Sequence, residues 1–341
     1  MKDVLTYVLG FLLSLSCCAS LSWARVPDEV ESQGGHALGF GNAGAVASSG
    51  ISSVRANPAM LAVEKQYTVH AGYHWPSSGR DFYQLGVVDS KTSPVAAGVS
   101  YTEGVASFST QGLPGAPSSA EQEQILLDSP IERRASLGFA MPLEYFALGI
   151  GGEFVEGFPP VAFERWQGLE EVPKQRGIGV HLGAAGLVTK MIRFGVSAEN
   201  LNQSTMMDLA PTVYRGSVAV ILMGGSVTLH VDVHRRERVA QELEYQRQQI
   251  ALATAEAPYQ GPDMSRPEDM ATGSFSVRMY DMFMLLGGYA HELHGEHPRR
   301  SLSGGLALVN QMVSLSYMAS RPYLADAKSH HAVNLAIQMN M

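Results

Sequence analysis

Cysteine is missing from everything but the first few residues. The chain has only two, Cys17 and Cys18, both inside an N-terminal stretch built for export. The exported chain therefore has no thiol to form a disulfide, attack a carbonyl or hold a Cys-based zinc ion. Charge is scarce as well: 16% of the residues are Asp, Glu, Lys or Arg, against about 25% in an ordinary soluble domain. Beyond the first segment no stretch approaches the roughly 18 consecutive apolar residues of a spanning helix. Basic clusters are absent, and a net charge of −8 excludes the electrostatic footprint of a nucleic-acid binder. Yet 45% of the residues are hydrophobic. So much apolar surface, with so few charges, has to face something other than water.

The start of the chain, MKDVLTYVLGFLLSLSCCASLSWA, has a lysine near the front, an apolar stretch from Val4 to Leu15 and small residues around Ser22-Trp23-Ala24. That is the pattern of a secretory signal peptide over residues 1–24, cut after Ala24. Lipid attachment at Cys18 is a competing reading, weakened by Cys17 standing where a small residue is usual.

From Gln66 onward apolar residues recur at every second position over about ten residues at a time, between clusters of Gly, Pro, Ser and Asn. "GSVTLHVDVH" puts Val227, Leu229, Val231 and Val233 on one face, and "KMIRFGVSAEN" does the same with Ile192, Phe194, Val196 and Ala198. The periodicity predicts fourteen strands: 67–75, 81–90, 94–102, 132–141, 144–154, 176–187, 190–200, 213–222, 225–234, 272–281, 283–291, 301–310, 312–320 and 330–340. Their connections alternate between tight ("KTS", "PL", "VT", "MGG") and extended. That rhythm and an even strand number belong to an antiparallel transmembrane β-barrel, with short periplasmic turns and long outer loops. A secreted β-sandwich or propeller shares the alternation but not the loop rhythm. The faces agree: Arg193, Ser197 and Glu199, then His230, Asp232 and His234, then Ser276 and Arg278 lie opposite the apolar positions, as a polar lumen requires. We take Arg193, Glu199, His230, Asp232, His234 and Arg278 as candidate lumen-lining residues. The expected organisation is a signal peptide (1–24), an N-terminal segment acting as a hatch or plug in the lumen (25–65) and the barrel (66–341). Residues 235–271 are expected to form a long extracellular loop, helical in its first half or solvated throughout.

The segment before the barrel is rich in glycine and alanine, which lets backbones approach closely in a narrow lumen. Its sequence, "GFGNAGAVASSGISSVRANPAMLA", resembles the N-terminal signature of the FadL-type superfamily of outer-membrane barrels, in which a Gly/Ala-rich run leads through Asn-Pro-Ala into the first strand. "FGVSAENLNQSTMMDLAPTVYRGSVAV" and "MYDMFMLLGGYAHE" resemble later parts of the PorV and PorQ branch of that superfamily. The resemblance implies a fourteen-stranded barrel in the Gram-negative outer membrane, with Asn57, Pro58 and Ala59 as the hatch motif. It also implies one of two roles. FadL-type members pass long-chain fatty acids or other hydrophobic compounds inward; PorV-type members handle exported protein for a secretion machine. The expected partners are therefore membrane lipid with either a fatty-acid-like ligand or an exported protein. The chain departs from the pattern in being shorter than most fatty-acid transporters and in ending on Met341, where an aromatic is usual.

Nothing in the sequence selects an enzyme or a cofactor. G-x-S-x-G, P-loop and strand-to-helix G-x-G-x-x-G motifs are all absent. In "HVDVH" the side chains on one face stand about 6.8 Å apart per step, wider than one metal ion prefers, so a polar lining is the better reading. "HELHGEH" (His291, Glu292, His294, Glu296, His297) lacks zinc-protease spacing and leaves a strand, which favours a solvated loop.

Overall fold

The computed structural model describes residues 40, 44–48, 50–63, 65–75, 80–106, 132–157, 175–202, 211–237, 267–280, 282–294, 298–310, 312–322 and 329–338. Fourteen strands close into one antiparallel barrel, each paired with its neighbours in sequence and the last with the first. They are β1 (Tyr67–Trp75), β2 (Arg80–Asp89), β3 (Ala96–Ala106), β4 (Glu132–Pro142), β5 (Phe146–Gly157), β6 (Gln175–Thr189), β7 (Ile192–Glu199), β8 (Val213–Leu222), β9 (Val227–Arg236), β10 (Glu268–Met279), β11 (Phe283–Glu292), β12 (Arg300–Val309), β13 (Val313–Pro322) and β14 (His330–Gln338). The seam pairs Thr68 with Gln338 and Trp75 with His331, so no edge is left open.

Alternation along each strand sorts the side chains. On β4, Leu137, Phe139 and Met141 are exposed on the outside while Arg134, Ser136 and Ala140 are buried inside. On β9, Leu229, Val231 and Val233 face out and His230, Asp232 and His234 face in. An apolar exterior around a polar interior is what a bilayer demands of a closed sheet, because lipid cannot hydrogen-bond a free backbone or solvate a charge. Leu137 is central on β4, between Val99 of β3 and Gly152 of β5. Leu137→Arg is therefore expected to destabilise the barrel by about 2–4 kcal/mol, read as a lower urea midpoint for loss of the compact form on gels.

The tight turns are closed by local side-chain acceptors. Asp89 Oδ1 accepts from the amides of Lys91 and Thr92, Thr189 Oγ1 from Met191 and Ile192, and Asn310 Oδ1 from Met312 and Val313. Between β8 and β9 the turn runs through Met223, Gly224 and Gly225, all with positive φ. The long connections fall at the opposite end. Strand β9 runs on to Arg236 and β10 begins at Glu268, so the long connection expected over 235–271 is shorter at both ends; the helix expected in it lies outside the described residues. At these rim positions both faces are charged, so sequence alternation fails: Glu268 faces inward to Arg236, and Asp269 outward to Arg235. The signal stretch 1–24 and Met341 also lie outside the described residues.

Before β1 the chain winds through a turn of 3-10 helix (Gly50–Ser52), one α-helical turn, α1 (Ser53–Ala56), and a second 3-10 stretch (Pro58–Ala62). Gly50–Ser52 touches β1, β2 and β3; α1 touches β3, β4, β5 and β7; Pro58–Ala62 touches β3 to β6. On the far side Phe40 packs with Leu286, Ala307, Met318 and Ala332 from β11 to β14. A segment that meets inward-facing residues on so many strands of a closed barrel lies within it.

Candidate functional site

The fit between this segment and the wall is built first from glycine. A Cβ on Gly149 of β5 would stand 2.2 Å from the Ala59 nitrogen, and one on Gly183 of β6 would stand 2.0 Å from Asn57 Oδ1. The wall is bare where the segment comes closest. Val54, Ala59, Met60, Leu61 and Ala62 complete the seat by packing on Val88, Ala96, Ala140, Ala147 and Ala185. These wall residues lie toward the tight-turn ends of β2 to β6.

Asn57 organises the bend. Its Oδ1 accepts from the Ala59 amide at 3.2 Å, capping the 3-10 stretch. Its Nδ2 donates to the carbonyl of Ala45 at 2.6 Å and to that of Ala184 on β6 at 3.4 Å. One carboxamide thus ties together two parts of the segment and the wall, with Pro58 supplying a pre-set φ at the first helical position. Asn57→Ala leaves buried carbonyls without this donor, at about 1–3 kcal/mol. Hydrogen exchange should show faster exchange of the amides of residues 59–63 with the strand amides unchanged.

Charge supplies the third element. Glu132 of β4 pairs with Arg134, and Arg134 reaches Glu153 of β5 at 3.4 Å. Glu153 faces Arg55 of α1 at 3.6 Å, Arg55 faces Glu199 of β7 at 3.2 Å, and Glu199 binds Arg215 of β8 at 2.8 Å. Acid and base alternate along this chain from β4 to β8, and Arg55 is its link through the segment. The side chains of Glu153 and Arg215 are fully buried, where a charge persists only with partners. His181 of β6 approaches Glu153 at 4.0 Å, and its Nδ1 accepts from the Asn200 amide at 3.2 Å. On the far wall Asp232 accepts the amides of Gly44 and Ala45, both at 3.3 Å, and lies 3.4 Å from His234. His230 meets the ring of Phe40 edge-on.

The structure thus brings Asn57, Glu199, His230, Asp232 and His234 together around one segment. Pro58 and Ala59 are buried beside them, and Arg193 points inward on β7, half-buried. Arg278 has the inward parity of β10 but is exposed one residue before the strand ends, and takes no part in the ion-pair chain. Arg55, Arg134, Glu153, His181 and Arg215 are not among the residues that the sequence singles out. The signal for four of them is present, since each is a charged or titratable residue at the inward parity of a strand; Arg55 carries none. In "HELHGEH", His291 and Glu292 belong to β11, Glu292 turns inward to Arg299, and His294 lies 3.7 Å from Asp269. Glu296 and His297 lie outside the described residues.

The sequence matches no family model and no curated protein. Solved structures are similar in fold. The toluene transporter TbuX of Ralstonia pickettii superposes with a TM-score of 0.56 at 13% identity, over 91% of this chain and 98% of that one. A FadL homologue of Pseudomonas aeruginosa gives 0.54 at 11% identity, over 90% and 98%. The CymD monoaromatic hydrocarbon channel gives 0.53 at 12% identity, over 89% and 96%. Closed on fourteen strands and matched over nearly the whole of these proteins, the chain has the FadL-type outer-membrane barrel fold.

Proposed function

We propose that this protein is a channel for passive uptake of hydrophobic small molecules across the outer membrane of a Gram-negative bacterium, with residues 25–65 as its hatch. The observation that carries the reading is the seat of residues 44–48 and 50–62 within a barrel of the transporter fold. Transport needs no bond-making: an apolar solute leaves water at the outer loops, enters the barrel and passes when the hatch shifts. The hatch motif Asn57-Pro58-Ala59 and the charge link at Arg55 are the contacts that such a shift breaks. The polar wall residues, among them Arg193, Glu199, His230, Asp232, His234 and Arg278, hold the hatch or line the water-filled part of the lumen. Likeness to carriers of toluene and monoaromatic hydrocarbons favours small aromatic solutes alongside long-chain fatty acids.

One observation favours the second reading, a barrel of the PorV or PorQ kind that presents its loops to an exported protein. The ion-pair chain from Glu132 to Arg215 puts buried charge on the inward faces of β4 to β8, and an apolar solute gains nothing beside buried charge. Mass spectrometry of material extracted from the barrel in mild detergent, beside an unrelated barrel treated alike, separates the two. Enriched fatty acids or aromatic compounds support transport. A clean lumen with a stoichiometric protein companion overturns it in favour of the secretion role.

A further inference from the structure

Among the described residues, five arginines face outward near the long-loop ends of the strands: Arg133, Arg176, Arg235, Arg300 and Arg321. Three of them are matched by carboxylates. Arg133 lies 3.5 Å from Glu103, Arg176 lies 2.7 Å from Glu156, and Arg235 lies 2.8 Å from Asp269. Arg300 and Arg321 have no ion pair among the described residues. They stand on neighbouring strands, for Arg321 of β13 is opposite Leu302 of β12, two residues from Arg300 on the same face. Diagonal neighbours of this kind are about 7–8 Å apart, within reach of one anionic group between two guanidinium forks. His291 of β11 stands directly opposite Arg300 and extends the basic edge.

What lies beneath these arginines fixes their depth. On the outward face Trp75 and Tyr317 each stack on His331 and tilt toward one another, and the Tyr317 hydroxyl is 2.7 Å from His331 Nδ1. Tyr289 stacks on His291 beside them. A band of amphipathic rings marks the level where hydrocarbon gives way to headgroups. Arg300 and Arg321 are one step beyond it, at headgroup height, on a chain whose overall charge is negative.

We infer that the outward rim of β12 and β13 is a lipid-headgroup site, at which Arg300 and Arg321 together grip a phosphate of a phosphorylated glycolipid of the outer leaflet. The inference rests on the membrane placement proposed above and on no property of the lumen. Guanidinium suits a phosphate because it stays charged and its fork matches two phosphate oxygens at once. The matched arginines on the other strands are already neutralised and offer less.

Native mass spectrometry of the full-length barrel tests this, with titration by bis-phosphorylated lipid A and, in parallel, by lipid A stripped of phosphate. Wild type should retain the phosphorylated form in preference. Arg300→Ala with Arg321→Ala should weaken that retention about thirtyfold, two surface charges' worth, while Arg176→Ala stays close to wild type. Heat-modifiable mobility on gels confirms that each variant is folded, and Arg300→Gln with Arg321→Gln serves if the alanine pair is not. Equal retention by the double variant, or equal retention of phosphate-free lipid A, overturns the inference. Fractionation and ligand extraction are read separately. A barrel that binds lipid A phosphate but carries no apolar solute removes the transport reading alone; one found outside the outer membrane removes both.

Discussion

Arg55→Ala should release the lumen segment while leaving the barrel closed. Arg55 is the link through the segment in the chain Glu132, Arg134, Glu153, Arg55, Glu199, Arg215. Removing one member of a buried ion pair costs about 3–5 kcal/mol, because its partners stay charged and dry. The wall retains its own pairs, Glu153 with Arg134 and Glu199 with Arg215, so the loss falls on the seating of the segment rather than on strand pairing. Conductance across a planar bilayer should rise well above wild type, with heat-modifiable mobility unchanged. Glu199→Gln removes the wall partner of Arg55 at 3.2 Å, and combining it with Arg55→Ala should raise conductance by less than the sum of the two single effects, a coupling expected only of residues in contact. Unchanged conductance in Arg55→Ala would show that the segment is held by other means.

Gly149→Val attacks the same seat by shape. The atoms it meets are backbone, the Ala59 nitrogen at 2.2 Å and the Pro58 carbonyl carbon at 2.4 Å, and backbone cannot rotate out of the way as a side-chain tip can. Overpacking in a tight interior costs about 1–3 kcal/mol when neighbours relax and more when they cannot. The segment is therefore expected to leave the wall, exposing Leu61 and Met60 to protease. Gly216→Val is the control, because nothing lies within 4 Å of the added carbon. Equal protease resistance in the two variants would sink the idea that bare backbone at position 149 is there for the segment.

The strands are legible because a membrane barrel imposes its physics on every second residue. The periodicity places β8 to the residue, at 213–222, and β1 likewise at 67–75. It places β10 four residues short, starting at 272 rather than 268. At the rim both faces meet water and carry charge, so Glu268 and Asp269 break the apolar alternation that marks a strand in lipid. The lumen is legible only in part. His230, Asp232 and His234 announce an inward face because they alternate with valines, whereas Arg55 sits in an irregular segment with no periodicity to give it a direction. The ion-pair chain joins residues from positions 55 to 215, and nothing local in the sequence says that Arg55 meets Glu153 and Glu199. The glycine footprint is similarly hidden: Gly149 and Gly183 read as ordinary weak points of a strand until the segment is placed on them.

The seam between β1 and β14 closes the wall around a segment that belongs to the same chain. Four residues, 63–66, join the segment to the first strand. Gln66 and Ser90 exchange hydrogen bonds where that joint meets the turn after β2, so the segment is anchored beside the hairpin of β1 and β2. From there Arg55 reaches Glu153 and Glu199, and the amides of Gly44 and Ala45 reach Asp232 on the far wall. The tube is braced from within by the same chain that leads into its first strand, as a spar braces a hull.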